Sequence, residues 1–105
     1  MTVRSAHTKT CPIAKVADLI GDTAMLLIVR DLLSGPKRFG DLEHSLSGVS
    51  TRTLTKRLKA LEDCGLAQRT VFAERPPRVE YTLTKKGRGL GRIARAMKEY
   101  GEAHL

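Results

Sequence analysis

A mainly α-helical domain carrying one β-hairpin is the fold class this sequence predicts, and three observations predict it. Apolar residues recur at helical spacing in five segments, a single short segment alternates strictly, and the 105 residues suffice for one modest core.

The first helix is expected over about Pro12 to Ile20. Pro12 suits the first helical position, and Ile13, Val16, Ala17 and Ile20 recur at helical spacing up to Gly21. Residues 1–10 precede it as a flexible arm, and residues 11–105 form the domain. Asp22 or Thr23 caps a second helix. Its Met25 to Leu33 stretch, MLLIVRDLL, is apolar nearly all round and ends at Ser34-Gly35-Pro36. Such a helix belongs at the centre of the core.

A short third helix follows, with Phe39, Leu42 and Leu46 on one stripe and Ser47-Gly48 closing it. Ser50 is then the N-cap of a fourth helix, Thr51 to Asp63. Leu54, Leu58 and Leu61 form its buried stripe and Gly65 stops it. Leu66 to Ala73 is an irregular strand candidate. Arg78 to Leu83 alternates, with Val79, Tyr81 and Leu83 inward, and Glu74-Arg75-Pro76-Pro77 makes the pair a hairpin. Thr84 caps one final helix, which carries Leu90, Ile93, Ala94, Met97, Gly101 and His104 on one face and mostly basic residues on the other.

Charge narrows the function. There are 19 Lys and Arg against 11 Asp and Glu, net +8, while 41% of the residues are hydrophobic. The chain is too apolar for a disordered polycation and basic enough to expect a polyanionic partner. Residues 1–47 hold six bases and five acids, whereas residues 48–105 hold thirteen and six. The excess therefore sits in two acid-free runs, Ser50 to Ala60 and Lys85 to Lys98.

Several classes recede. The longest purely apolar run, Ala24 to Val29, has six residues, and a membrane span needs about 20. The first residues lack the apolar core of a secretory signal, so a cytoplasmic location is expected. Cys11, Cys64, His7, His44 and His104 are scattered without metal-ligand spacing, so neither metal nor cofactor is expected. No Ser-His-Asp cue or carboxylate pair points to an enzyme. Gly87, Gly89 and Gly91 resemble a phosphate loop only superficially, because no strand follows them.

The order helix, helix, short helix, turn, basic helix, hairpin, long helix is that of a winged helix-turn-helix, whose second motif helix enters the major groove of double-stranded DNA. Projection about Leu54 and Leu58 places Arg52, Lys56, Lys59 and Asp63 outward with Thr51, Thr53 and Thr55 on the flanks. Arg and Lys donate to guanine and Thr meets a thymine methyl, so Thr51, Arg52, Thr55 and Lys56 are the expected base readers. Ser50 and Lys59 are the expected phosphate contacts, with Arg38 touching the backbone before the third helix. Arg75 or Arg78 at the hairpin tip reaches the neighbouring minor groove. A winged helix used for contact with an acidic protein, without specific DNA binding, is the alternative.

These residues resemble the HxlR family of bacterial transcriptional regulators, which is close to the MarR winged-helix proteins. The likeness rests on Cys11-Pro12, Leu19-Ile20-Gly21 with Leu26-Leu27-Ile28, Gly35-Pro36-Lys37-Arg38-Phe39-Gly40-Asp41-Leu42, Leu54-Thr55-Lys56-Arg57-Leu58 and Pro76-Pro77-Arg78-Val79-Glu80-Tyr81. It covers Cys11 to about Tyr100. The chain departs from the family at Thr23-Ala24, where members usually carry Lys-Trp. The resemblance implies a homodimer on an inverted-repeat operator, with contacts from Arg38, the Thr51 to Lys59 face and the wing.

The apolar face of the last helix, with Ile13, Val16 and Ile20, fits a two-fold dimer through terminal helices that sets two recognition helices about 34 Å apart. Cys11, at a helix start near His7, Lys9 and Lys15, is better placed as a reactive thiol than Cys64 at a helix end. Some members of the family use the matching cysteine to sense oxidants or electrophiles. Cys11 is thus a candidate redox sensor, with packing as the alternative role. A small-molecule effector is left open.

Overall fold

The computed structural model describes residues 10–105, so the expected arm lies almost wholly outside the described residues. Six helices and three strands follow in order: α1 Pro12–Ile20, α2 Thr23–Leu33, β1 Lys37–Arg38, α3 Phe39–Ser45, α4 Thr51–Asp63, β2 Ala67–Phe72, β3 Arg78–Leu83, α5 Lys85–Arg88 and α6 Gly91–His104. This is a winged helix-turn-helix.

The central helix is α2, and it starts where Asp22 caps it: the carboxylate Oδ1 accepts from the Met25 N–H at 2.7 Å. Its Met25, Ile28, Val29 and Leu32 are buried against α4, β3 and α6. Leu42 and Leu46 close the core from α3 and its end, and Leu54, Leu58 and Leu61 from α4. Phe39 is only half-buried at the edge of this cluster. The i, i+4, i+7 leucines of α4 are all but inaccessible to solvent, so removing any one of them would leave a cavity.

Two expectations need correction. The hairpin gains a third strand at Lys37-Arg38: β1 pairs antiparallel with β3, Lys37 opposite Tyr81 and Arg38 opposite Glu80, in a three-stranded sheet ordered β1-β3-β2. Two residues between Pro36 and a helix start carry no alternation, and only the β3 edge makes them a strand. The final helix is also not continuous. Thr84 caps α5, its Oγ1 accepting from the Gly87 N–H at 3.1 Å, but the chain then tightens into i→i+3 bonds, Gly89 N–H to Lys86 O and Leu90 N–H to Gly87 O, before α6 begins.

The glycines have a packing reason. A Cβ at Gly87 would be driven into the carbonyl oxygen of Leu66, and one at Gly91 would press on Leu33 Cδ2 at 3.3 Å. Gly87 marks a close approach of two backbones, and Gly91 a close approach of the last helix to a side chain of α2.

Helix α1 is mostly outside the core. Of its apolar stripe only Ile20 is buried, while Ile13 is 80% exposed. Helix α6 buries none of its residues fully, and Ile93, Met97, Tyr100 and Leu105 stand open on one side.

Candidate nucleic-acid interface

The basic helix α4 is built to be rigid at both ends. Ser50 Oγ accepts from the Thr53 N–H at 3.1 Å and donates to Thr53 Oγ1 at 3.0 Å, so the first turn is closed by its own cap. The far end is a Schellman motif. Leu66 N–H reaches Leu61 O at 2.9 Å, Gly65 N–H reaches Glu62 O at 3.0 Å, and Gly65 takes the left-handed φ of 72° that favours glycine. Leu61 and Leu66 are both buried, which supplies the apolar contact of that motif.

Between these ends the leucine stripe faces inward, and Thr51, Arg52, Thr55, Lys56 and Lys59 are exposed. Among the described residues Arg52 and Lys56 have no carboxylate within ion-pair distance. Lys59 has one, Asp63 Oδ1 at 3.1 Å across one helical turn. Such an exposed pair is weak and is readily exchanged for another anion.

Two polar ties fix α4 against its neighbours, and sequence reasoning missed both. Thr51 Oγ1 donates to Glu43 Oε2 of α3 at 2.9 Å, bridging the two helices of the motif. Arg57 Nε lies 2.8 Å from Asp22 Oδ2, so the residue that caps α2 also holds the middle of α4. Neither tie has a local signal, since each joins residues across a turn or a helix pair whose register only the fold sets. Thr51 spends its hydroxyl hydrogen on Glu43, leaving an acceptor lone pair and a methyl group for any ligand.

The remaining predicted residues lie on the sheet. Arg38 is exposed in β1, and its backbone N–H donates to Asp41 Oδ2 at 2.9 Å, which fixes the entry to α3. Arg75 is exposed at the hairpin tip, and among the described residues it makes no ion pair or hydrogen bond. Arg78 differs. Its Nη2 lies 3.0 Å from Glu74 Oε2, its Nη1 lies 3.5 Å from Glu80 Oε2, and its guanidinium carbon sits 4.1 Å from the centroid of Phe72.

Cys11 is the N-cap position of α1, half-buried, and makes no side-chain capping bond. Cys64 is the C-cap of α4, also half-buried. Neither is in a disulfide. Among the described residues no group of three or more His, Cys, Asp and Glu is placed to hold a metal ion, and no helix is long and apolar enough to cross a membrane.

A capped helix whose outer face is basic from Arg52 to Lys59, preceded by a turn and followed by a winged sheet, is the architecture of DNA-binding regulators. The family model for HxlR-like helix-turn-helix proteins matches residues 19–105. The chain belongs to the HxlR-like helix-turn-helix family. Members of this family are DNA-binding transcriptional regulators rather than enzymes.

Its relatives agree with that membership. The HxlR-like chain is 45% identical over 95 residues to an uncharacterised HTH-type transcriptional regulator of Synechocystis, sll1512, covering 90% of this chain and 70% of that protein. Among solved structures it is similar to the redox regulator HypR in its oxidised form, with a TM-score of 0.85 and 36% identity over 90% of this chain and 98% of the other. It is similar too to a transcriptional regulator of the MarR family from Porphyromonas gingivalis, with a TM-score of 0.87 and 31% identity over 92% and 95% of the two chains.

Proposed function

We propose that this HxlR-like chain is a sequence-specific transcriptional regulator that binds an inverted-repeat operator as a homodimer. The observation that carries this reading is the outer face of α4, where Arg52 and Lys56 are exposed and, among the described residues, in no ion pair, on a helix held by its cap, leucine stripe and two polar ties. The backbone that carries these donors is already ordered, so contact with major-groove base edges costs only the rotamer freedom of the two side chains.

In this reading Arg52, Thr55 and Lys56 read bases, and Thr51 meets them with its methyl group and free lone pair. Ser50 and the start of α4 face a phosphate, where backbone N–H groups favour an anion. Lys59 exchanges Asp63 for a second phosphate, and Arg38 and Arg75 touch the backbone and the minor groove from the sheet. The dimer forms through the open faces of α1 and α6, where Ile13, Ile93, Met97 and Tyr100 are exposed. Cys11, at the start of α1, is the thiol through which an oxidant would reach that interface. The likeness to a redox regulator supports this part of the reading.

Selection of bound duplexes from a random pool tests the whole. A palindromic consensus is expected. The Arg52→Ala and Lys56→Ala variants should each bind it about 1–3 kcal/mol more weakly, with the salt dependence of binding reduced. Equal affinity for every duplex, or no effect of either substitution, would overturn it. For the thiol, operator binding is compared before and after mild oxidation. Wild type should respond and Cys11→Ser should not, and equal responses would remove Cys11 from the mechanism.

A further inference from the structure

Arg78 carries a feature that its sequence position at the wing does not announce. It stands directly opposite Phe72 in the β2–β3 register, and its guanidinium lies over that ring. One carboxylate lies on each side along the chain, Glu74 at 3.0 Å and Glu80 at 3.5 Å. The side chain is only 27% exposed, and its Nε is shielded from solvent altogether. To reach a phosphate, Arg78 would have to leave both acids and the aromatic face, and Glu74 would be left facing the DNA unpaired.

The charge balance of the wing points the same way. Residues 72–80 contain two arginines and two glutamates. With Arg78 held between both acids, Arg75 is the cation of the hairpin tip that, among the described residues, stands exposed and outside any ion pair. Glu74 immediately precedes it, so the ion pair that fixes Glu74 also fixes the backbone from which Arg75 projects. The same cluster reaches across the sheet, because Glu80 lies opposite Arg38 of β1.

We infer that Arg78 is a positioning residue: it braces the wing through Phe72, Glu74 and Glu80 so that Arg75 is presented to the duplex, and it makes no DNA contact of its own. This rests on the DNA-binding reading above. The brace needs the planar fork of arginine. A lysine would keep the charge but lose the two-sided pairing and the stacking.

The test is equilibrium binding of the full chain to the duplex recovered by selection, at a series of salt concentrations, for Arg75→Gln, Arg78→Gln, Arg78→Lys and the Arg75→Gln, Arg78→Gln double variant. Arg75→Gln should weaken binding several-fold and lower the salt slope, because a cation leaves the duplex. Arg78→Gln and Arg78→Lys should both weaken binding several-fold. The double variant should bind no worse than Arg75→Gln alone, since Arg78 acts through Arg75.

Three results would overturn the inference: Arg78→Lys at wild-type affinity while Arg78→Gln loses slope, additive losses in the double variant, or no effect of Arg78→Gln. Phe72→Leu, which removes the stacking without touching a charge, keeps the test open if Arg78→Gln does not fold. It should weaken binding in the wild-type background and leave Arg75→Gln unchanged, and any other pattern counts against the brace. Sensitivity to Arg52→Ala with additive Arg75 and Arg78 losses sinks the brace alone. Insensitivity to Arg52→Ala sinks the DNA-binding reading beneath it.

Discussion

Gly87 is the residue where side-chain size decides most. Its neighbours Thr84 and Lys86 are tied to the exit turn of α4: Thr84 Oγ1 donates to Gly65 O at 2.6 Å, Thr84 N–H to Leu66 O at 3.0 Å and Lys86 Nζ to Cys64 O at 3.1 Å. A methyl group at Gly87 meets the Leu66 carbonyl, a backbone atom that cannot rotate away, so Gly87→Ala should destabilise the chain by at least about 1–3 kcal/mol. Urea unfolding with an unchanged slope and a lower midpoint is the expected result. The same substitution at Gly89, whose Cβ would come no closer than 3.2 Å to Lys86 O, should have a much smaller effect. At this scale the sequence was partly legible. The exposed residues of α4 follow from projection about Leu54 and Leu58, but Glu43, Arg57 and the pairing of Arg78 do not. Their partners come from other elements, and no periodicity reports a contact of that kind.

Among elements, α2 shows how one carboxylate serves two helices. Asp22 caps α2 with one oxygen and holds Arg57 of α4 with the other. Asp22→Ala is expected to lose about 1 kcal/mol from the cap alone. It should also free the middle of α4, so Asp22→Asn, which keeps the capping oxygen but not the charge, should recover stability more than operator affinity. Thermal unfolding and binding measured on the same samples separate the two effects. Elements with their own periodicity were readable before any coordinates: α1, α4 and β3 begin and end where capping residues, glycines and alternation place them. Those that owe their form to a neighbour were not. β1 is a strand because β3 offers an edge, and the last helix breaks at the i→i+3 bonds of Gly89 and Leu90, next to the close approach of Gly87 to Leu66.

For the molecule as a whole, the first and last helices leave apolar surface outside the core. Exposed apolar residues gather on α1 and α6, with Met97 51% and Tyr100 64% exposed. A charge placed there should act on assembly without touching the core. On the proposed dimer, Met97→Glu is expected to lower self-association measured by sedimentation, with the unfolding midpoint extrapolated to low concentration unchanged. A dimer that survives this substitution would move the interface elsewhere. The two-residue strand β1 has a consequence for folding order. By joining Lys37 to Tyr81 it closes a stretch of roughly forty residues that contains α3, α4 and β2, a loop whose ends gain little from so short a ladder. That pairing is therefore expected late, after the helices have collapsed, and its amides should exchange with solvent through opening of the sheet rather than through fraying of one helix. The third strand of the wing would then be the last part of the fold to form and the first to open.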